Sequence, residues 1–170
     1  MTWPTRAARP VLGVALLAAV LLTGSGCSSG ADERRGPEWK KGAGAPETAA
    51  YMKVEVPEGA TEVKGAVKLV PQDAVQLLTF VTTPERAEDL GQQFVGQGPL
   101  IVRPAQSGQS AGDPSFAHLG TPEPETLPGL RWAGVCPPCL KDQRRKHMQW
   151  IEIYLQKLDA DRTRVYLRAW

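Results

Sequence analysis

The sequence is poor in the side chains that most often bind metals or transfer protons near neutral pH. It contains two histidines, His118 and His147, and three cysteines among 170 residues. Neither histidine has zinc-finger spacing to the cysteines, and no HExxH, phosphate-loop or EF-hand pattern occurs. These absences argue against the common metal-dependent and nucleotide-dependent enzymes, and we expect no cofactor and no metal site.

A strong net charge is also lacking. The formal charge is +2, but Arg6 and Arg9 lie in an N-terminal stretch typical of a secretory signal. Without these two arginines, 18 basic side chains balance 18 acidic ones. The sequence therefore gives no reason to expect a nucleic-acid partner.

The apolar run that follows the N-terminal charges is short. Val11 to Thr23 is an uncharged, mostly aliphatic stretch of thirteen residues. A helix of that length spans roughly 20 Å, whereas a bilayer core needs about 20 residues. The run predicts the hydrophobic part of a signal peptide covering residues 1–26.

The signal ends in the stretch from Leu21 to Cys27, LLTGSGC. This stretch resembles a bacterial lipobox, which usually has leucine, two small residues and then cysteine. Ser25 and Gly26 match that pattern, and Gly24 departs from it. The resemblance implies that a diacylglyceryl group is attached to Cys27, that an acyl chain such as palmitate is added, and that the bilayer is a partner. The alternative is a secreted protein with a chance cysteine near its cleavage site.

The cysteine count has a second consequence. If Cys27 carries lipid, Cys136 and Cys139 remain as a pair, and a pair in an oxidising compartment predicts a disulfide. The sequence between them is Cys136-Pro137-Pro138-Cys139. A redox-active pair is the alternative, because a cysteine preceding a short helix over Leu140 to His147 would have a lowered pKa. A redox-active motif of this kind would be faced by a proline from later in the sequence, but no proline follows Pro138. This favours the structural disulfide. Metal binding would need further ligands.

Residues 27–50 are rich in small and charged side chains and predict a flexible tether. A single domain is expected over 51–170. Period-two alternation predicts strands over Tyr51–Val56, Thr61–Val70, Trp150–Leu158 and Thr163–Trp170, with a brief strand at Leu100–Val102. Ala74–Thr82 is apolar on both faces and predicts a more buried, central strand. Tyr154 and Tyr166 are expected to face outward and to pair across the last hairpin. Thr83 and Pro84 predict the start of one helix that runs to Phe94. The expected fold is α+β, an antiparallel sheet of about four to five strands with one helix packed on a face.

A Pro/Gly-rich loop is predicted at 96–131, which has six prolines and six glycines in 36 residues. A loop of this length is either a mobile insertion or an ordered binding loop. Glu123 and Glu125 lie between prolines and are expected to be solvated. Asp113, Ser115 and His118 have the residue types of a hydrolase triad, but triads are built from distant segments, and a plain loop is favoured.

The densest basic cluster is Lys141, Arg144, Arg145, Lys146 and His147. It predicts a solvated face, with an acidic envelope partner as the alternative.

Four short stretches together resemble small lipoproteins of high-GC Gram-positive bacteria. They are Pro57-Glu58-Gly59-Ala60-Thr61, Leu77-Leu78-Thr79-Phe80, Thr83-Pro84-Glu85-Arg86-Ala87 and Arg164-Val165-Tyr166-Leu167. The resemblance implies a location on the outer face of the cell membrane and no particular activity. We therefore expect a non-enzymatic binding or accessory module whose partner is an envelope protein or ligand. The alternative is a thiol-disulfide oxidoreductase that uses Cys136 and Cys139.

Overall fold

A computed structural model of the chain describes residues 38–95, 99–106 and 115–170, and all of them fall in one unit. The predicted signal peptide and Cys27 lie outside these residues. The strands are β1 (Glu38–Trp39), β2 (Thr61–Val70), β3 (Asp73–Thr82), β4 (Ile101–Arg103), β5 (Leu130–Val135), β6 (Ile151–Lys157) and β7 (Thr163–Ala169). The helices are α1 (Ala45–Met52) and α2 (Pro84–Gln92). The α+β class is as predicted, with more strands and one more helix than expected.

All seven strands form one antiparallel sheet in the order β1-β2-β3-β7-β6-β5-β4. β2 and the β6–β7 hairpin follow the predicted alternation, and β3 is buried on both faces from Gln76 to Thr82, as predicted. Tyr154 pairs directly with Tyr166, as expected. β7 lies between β3 and β6, so the last strand is inside the sheet.

The N-terminal boundary of the domain was wrong in the sequence prediction. Within the predicted tether, β1 pairs with β2 and α1 packs against the sheet. Met52 and Val54 are buried, but they belong to the end of α1 and the turn after it rather than to a strand over 51–56. Residues 38–50 resemble a linker in sequence because many of them are small. In the structure, α1 lies directly on Gly65 of β2, and a Cβ added at Gly65 would be 2.5 Å from Thr48 Oγ1.

The start of α2 is built as predicted. The backbone N–H of Arg86 donates to the Thr83 hydroxyl oxygen at 3.4 Å, and Pro84 occupies the first turn. Ala87, Leu90 and Phe94 are buried against the sheet. Their i, i+3, i+7 spacing places them in one apolar stripe.

Both faces of the sheet are covered. One face packs against α1 and α2 around Leu78, Phe80 and Ile153. The other packs against Phe116 and Leu119, which lie on a 3₁₀ turn at Phe116–Leu119. The second faces of β6 and β7 were expected to be exposed, but Tyr154 is 1 % and Tyr166 0 % exposed.

Residues 96–131 were predicted to form one long loop. The described parts of this segment, 99–106 and 115–131, contain more regular structure than expected. They contain β4, the 3₁₀ turn at Phe116–Leu119, another at Pro124–Thr126 and the start of β5. β5 was not predicted, because its six residues include Gly134 and show no clean alternation. The buried residues of 115–130 make this stretch a cover for the sheet rather than an exposed insertion.

Candidate functional site

An apolar groove of about 300 Å³ lies at the end of β5, next to the Cys136–Cys139 pair. None of its lining side chains is ionisable, since the two cysteines are bonded to each other. The lining residues are Phe94, Val95, Pro99, Ile101, Trp132, Ala133, Gly134, Val135, Cys136, Cys139, Leu140 and Trp150. A concave apolar surface of this kind suits binding rather than proton transfer.

Two tryptophans form one wall of the groove because residue 134 is glycine. A Cβ at Gly134 would be 2.6 Å from Trp132 Cζ2 and 2.8 Å from Trp150 Cζ2. Any larger residue would push the rings apart. Glycine inside a strand pattern indicates such a close approach, and this was the signal in the sequence that could have located the groove.

The opposite wall comes from the chain that follows α2. Phe94 is 1 % exposed, and the Arg145 guanidinium lies 4.7 Å from the centre of its ring. Ile101 of β4 and Leu140 of the cysteine turn form the rim, with exposed fractions of 50 % and 46 %. Exposed apolar residues of this size next to an apolar groove indicate an interaction site.

β4 is shorter than β5 next to the groove. β5 pairs with β6 from Arg131 to Val135, whereas its register with β4 ends at the pair Ile101–Trp132. Leu100, the residue before β4, is 6 % exposed and belongs to the same buried cluster as Ala133. The chain that leads into β4 therefore lies beside this end of β5.

Cys136 and Cys139 are at disulfide distance, as predicted, with sulfurs 1.95 Å and Cα atoms 5.2 Å apart. A tight turn holds them: the N–H of Leu140 donates to the Cys136 carbonyl at 3.2 Å, and that of Asp142 to the Pro137 carbonyl at 2.9 Å. The expected helix over Leu140–His147 is wrong, because this stretch forms successive turns. Neither cysteine therefore lies at a helix N-terminus.

One feature of the turn bears on sulfur chemistry. The backbone N–H of Cys139 donates to Cys136 Sγ at 3.2 Å. A hydrogen bond to sulfur favours the thiolate over the thiol, so Cys136 is the better leaving group if the disulfide is attacked. Cys139 is the more exposed of the two residues.

The basic cluster is not one solvated face. Lys141, Arg144, Lys146 and His147 are exposed, but Arg145 is 1 % exposed. Its guanidinium donates to the carbonyls of Met52 and Lys53 at 2.9 and 3.1 Å, and to Gln93 and Asp142 at 3.1 Å. Arg145 thus joins α1, α2 and the cysteine turn, which is a structural role that sequence clustering could not reveal.

A buried polar cluster lies on the other face of the sheet. Arg168 Nη1 is 2.6 Å from Glu125 Oε1, and the Tyr154 hydroxyl is 3.0 Å from carboxylate oxygens of both Glu125 and Glu152. Arg103 donates to that hydroxyl oxygen at 3.3 Å. Burial, with the two carboxylates beside it, raises the pKa of Tyr154 above its ordinary range.

This cluster corrects the prediction that Glu123 and Glu125 are solvated. Glu125 is 8 % exposed, and Glu123 Oε2 lies 3.6 Å from Arg168 Nη2. Because the Tyr154 hydroxyl has one proton, it can donate to only one of its two carboxylates at a time. The cluster attaches the 115–130 stretch to β6 and β7. These long-range pairs account for the burial of that stretch.

The triad residue types are not assembled in the described part of the chain. Asp113 lies outside it, Ser115 is buried, and His118 is exposed with its ring stacked 3.8 Å from that of Trp39. Residues 108–112 read Gly-x-Ser-x-Gly, a pattern found around hydrolase nucleophiles, but they too lie outside it. Among the residues that the structure describes, no group of three potential metal ligands occurs.

In the part of the chain that the structure describes, no helix is long and apolar enough to cross a bilayer. Comparisons with protein-family models, with curated proteins and with solved structures find no match for this chain.

Proposed function

We propose that this protein is a lipid-anchored module on the outer face of a bacterial cell membrane that binds an envelope ligand without catalysing a reaction. The observation that carries the proposal is the Leu21–Cys27 stretch, with its charged start and its apolar run of thirteen residues. The remaining two cysteines are at disulfide distance, which is consistent with an oxidising compartment.

The groove supports the binding half of the proposal. Its lining is apolar, its rim residues Ile101 and Leu140 are exposed, and its walls come from the chain after α2, β5 and the cysteine turn. A disulfide in one wall keeps this turn closed. Such a surface can hold an apolar ligand in place but has no side chain suited to acid–base chemistry.

The anchor is tested by changing Cys27 alone. In a bacterial host fed an alkyne analogue of palmitate, we expect the wild-type protein to be labelled and to partition into the detergent phase. Cys27→Ser abolishes both properties. Cys139→Ser is the matched control, because it removes a cysteine but leaves the lipobox-like stretch unchanged. Labelling that persists in Cys27→Ser would show that the anchor assignment is wrong.

A second candidate function is thiol-disulfide exchange, and the N–H of Cys139 pointing at Cys136 Sγ favours it. A thiolate of a partner dithiol would attack Cys139 Sγ, and Cys136 would leave as a thiolate. The partner's second thiol would then attack the mixed disulfide. The partner ends oxidised to a disulfide, and Cys136 and Cys139 end as thiols.

Equilibration with glutathione redox buffers separates the two functions. A structural disulfide has a reduction potential below about −300 mV, whereas an exchange-active one is higher. We expect the lower value and no acceleration of insulin reduction. A high potential together with insulin reductase activity that Cys136→Ser removes would establish the second candidate.

A further inference from the structure

We propose that the domain docks on a lipid bilayer containing anionic phospholipid, through a docking face made by Ile101, Leu140, Lys141, Arg144 and Lys146. This contact is separate from the proposed lipid anchor and belongs to the folded domain itself. Three observations carry it: a local excess of cations, an apolar rim beside them, and a turn that is held in shape by its own bonds.

The cations are concentrated in one stretch of the chain. Residues 136–150 contain four lysines and arginines and one acid, a formal charge of +3, whereas the whole chain has +2. The acid, Asp142, lies 3.1 Å from the buried Arg145 and 3.8 Å from Arg144. Lys141 and Lys146 are exposed and form no ion pair within the part of the chain that the structure describes. The stretch therefore keeps a positive surface charge, which complements phosphate headgroups.

Apolar side chains lie directly beside these cations. Leu140 precedes Lys141 and is 46 % exposed, and it lines the groove together with Ile101, which is 50 % exposed. A single exposed leucine is ordinary on a protein surface, but one at the rim of an apolar groove extends an apolar patch. Apolar residues can enter the acyl region of a bilayer while neighbouring lysines keep their charges at the headgroups. The docking face has both parts.

The turn holds Leu140 and Lys141 in place. The N–H of Leu140 donates to the Cys136 carbonyl at 3.2 Å, and the N–H of Lys141 to the Pro138 carbonyl at 3.1 Å. Farther along, Arg145 ties the stretch to the Met52 carbonyl at 2.9 Å. Because no loop has to become ordered on docking, less conformational entropy is lost.

The combination of charge and apolar surface selects the partner. An acidic polypeptide would pair with the lysines but leave Ile101 and Leu140 against polar groups. A small apolar molecule in the groove would leave the cations without a partner. A bilayer with anionic lipid supplies phosphate and hydrocarbon together, and it matches the whole face.

The test is co-sedimentation of residues 28–170 with lipid vesicles. Leaving out residues 1–27 removes the apolar run and Cys27, and it removes no residue of either core cluster. We expect at least tenfold tighter binding to vesicles of phosphatidylglycerol and phosphatidylcholine than to phosphatidylcholine alone. Binding should weaken between about 0.1 M and about 1 M salt, as the Debye length falls from about 10 Å to about 3 Å. Equal binding to both vesicles, or no binding, would overturn the proposal.

Charge variants locate the face. Each lysine or arginine near an anionic surface strengthens binding about fivefold. Replacing three of them should therefore weaken binding about 100-fold in the variant Lys141→Gln, Arg144→Gln, Lys146→Gln.

A second triple variant is the matched control. It removes the same charge at three other exposed positions, by Lys41→Gln, Lys157→Gln and Arg162→Gln. We expect it to weaken binding less than threefold. Equal losses in the two triple variants would mean that only net charge attracts the vesicles, and the docking face would be wrong.

Leu140→Ser tests the apolar part without changing charge. It should weaken vesicle binding at least fivefold, whereas Leu69→Ser, at a leucine of β2 that is 40 % exposed, should leave it unchanged. If Leu140→Ser binds vesicles as well as the unchanged sequence does and soluble polyglutamate displaces it, the partner is an acidic polypeptide and the proposal is wrong.

The full-length protein provides the final measurement, in lipid nanodiscs whose phosphatidylglycerol carries a photoreactive diazirine in its acyl chain. We expect cross-links at Leu140 and none at Leu69, mapped by mass spectrometry. Equal cross-linking at both positions would contradict the docking face. Vesicle binding by residues 28–170 does not require Cys27, so failure of the anchor and failure of this face are distinguishable.

Discussion

Arg145 is the largest fully buried side chain in the described residues, and it binds two backbone carbonyls and two side chains. Arg145→Met removes the donors and leaves the Met52 carbonyl buried, and the Lys53 carbonyl partly buried, without the guanidinium. We expect a loss of about 3 kcal/mol in the free energy of unfolding, measured by urea denaturation. Arg144→Met, at a side chain that is 67 % exposed, should change stability by less than about 0.5 kcal/mol. Similar losses in both variants would contradict this role.

Glu88 and Arg131 form a half-exposed pair between α2 and β5. The hydrogen bond from the Arg131 guanidinium holds the pKa of Glu88 below its ordinary value of 4.5. The stabilisation is therefore present above about pH 4.5 and is lost as the pH falls through the lower pKa of the folded protein. Because water screens the pair, its contribution is below about 1 kcal/mol.

Glu88→Gln tests that pair. We expect the variant to be slightly less stable than wild type at pH 7, with a difference that shrinks as the pH falls below about 4.5, in urea titrations at each pH. In an Arg131→Met background the same substitution should have a smaller pH-dependent effect, because only the hydrogen bond from Gln92 then remains. A difference between Glu88→Gln and wild type that grows as the pH falls would have the wrong sign.

At the scale of elements, the 115–130 stretch is a packed cover of one sheet face. Phe116 is fully buried, and its ring meets that of Tyr166 edge to face with centres 5.2 Å apart. Phe116→Ala should lower the free energy of unfolding by about 3–5 kcal/mol. Val102→Ala, at a residue 67 % exposed, should have little effect. A loss below about 1 kcal/mol for Phe116→Ala would mean that this stretch is not a stable cover.

The contact of α1 with β2 depends on the absence of a side chain at Gly65. A Cβ there would be 2.6 Å from the Ala45 Cα and 2.5 Å from Thr48 Oγ1. Gly65→Ala should therefore displace α1 and destabilise the protein by about 1–3 kcal/mol. Gly44→Ala is the matched control, since its Cβ would meet only Pro46 Cδ at 3.8 Å. Thermal unfolding of the two variants gives the comparison.

The elements that sequence predicted well are those with local signals. Alternation identified β2 and the β6–β7 hairpin, and a run that is apolar on both faces identified β3. Thr83 with Pro84 identified the start of α2. Burial of Glu125 was not predictable in the same way, because its partner Arg168 lies 43 residues away. For the site, the Cys136–Cys139 pair followed from counting cysteines. Gly134 is a local signal of a close approach to β5, but the residues of the other wall come from distant parts of the chain, which no local pattern encodes.

At the scale of the whole molecule, β7 joins two three-stranded halves, β1-β2-β3 and β6-β5-β4. It forms the pair Gln76–Ala169 on one side and Ile151–Ala169 on the other. We expect amide hydrogens of β3, β6 and β7 to exchange only through global unfolding, and those of the edge strands β1 and β4 to exchange through smaller openings. Hydrogen exchange by mass spectrometry measures this order. Faster exchange in β7 than in β4 would contradict it.

The central place of β7 has a consequence for the order in which the chain is made. β3 ends at Thr82 and β7 begins at Thr163, so 80 residues are synthesised before the inner edge of β3 can be paired. At roughly 5–20 residues per second, that takes about 4–16 seconds. During that interval the nascent chain has an apolar strand without its neighbour. A cell that makes this protein must keep that strand from pairing with other chains until β7 emerges.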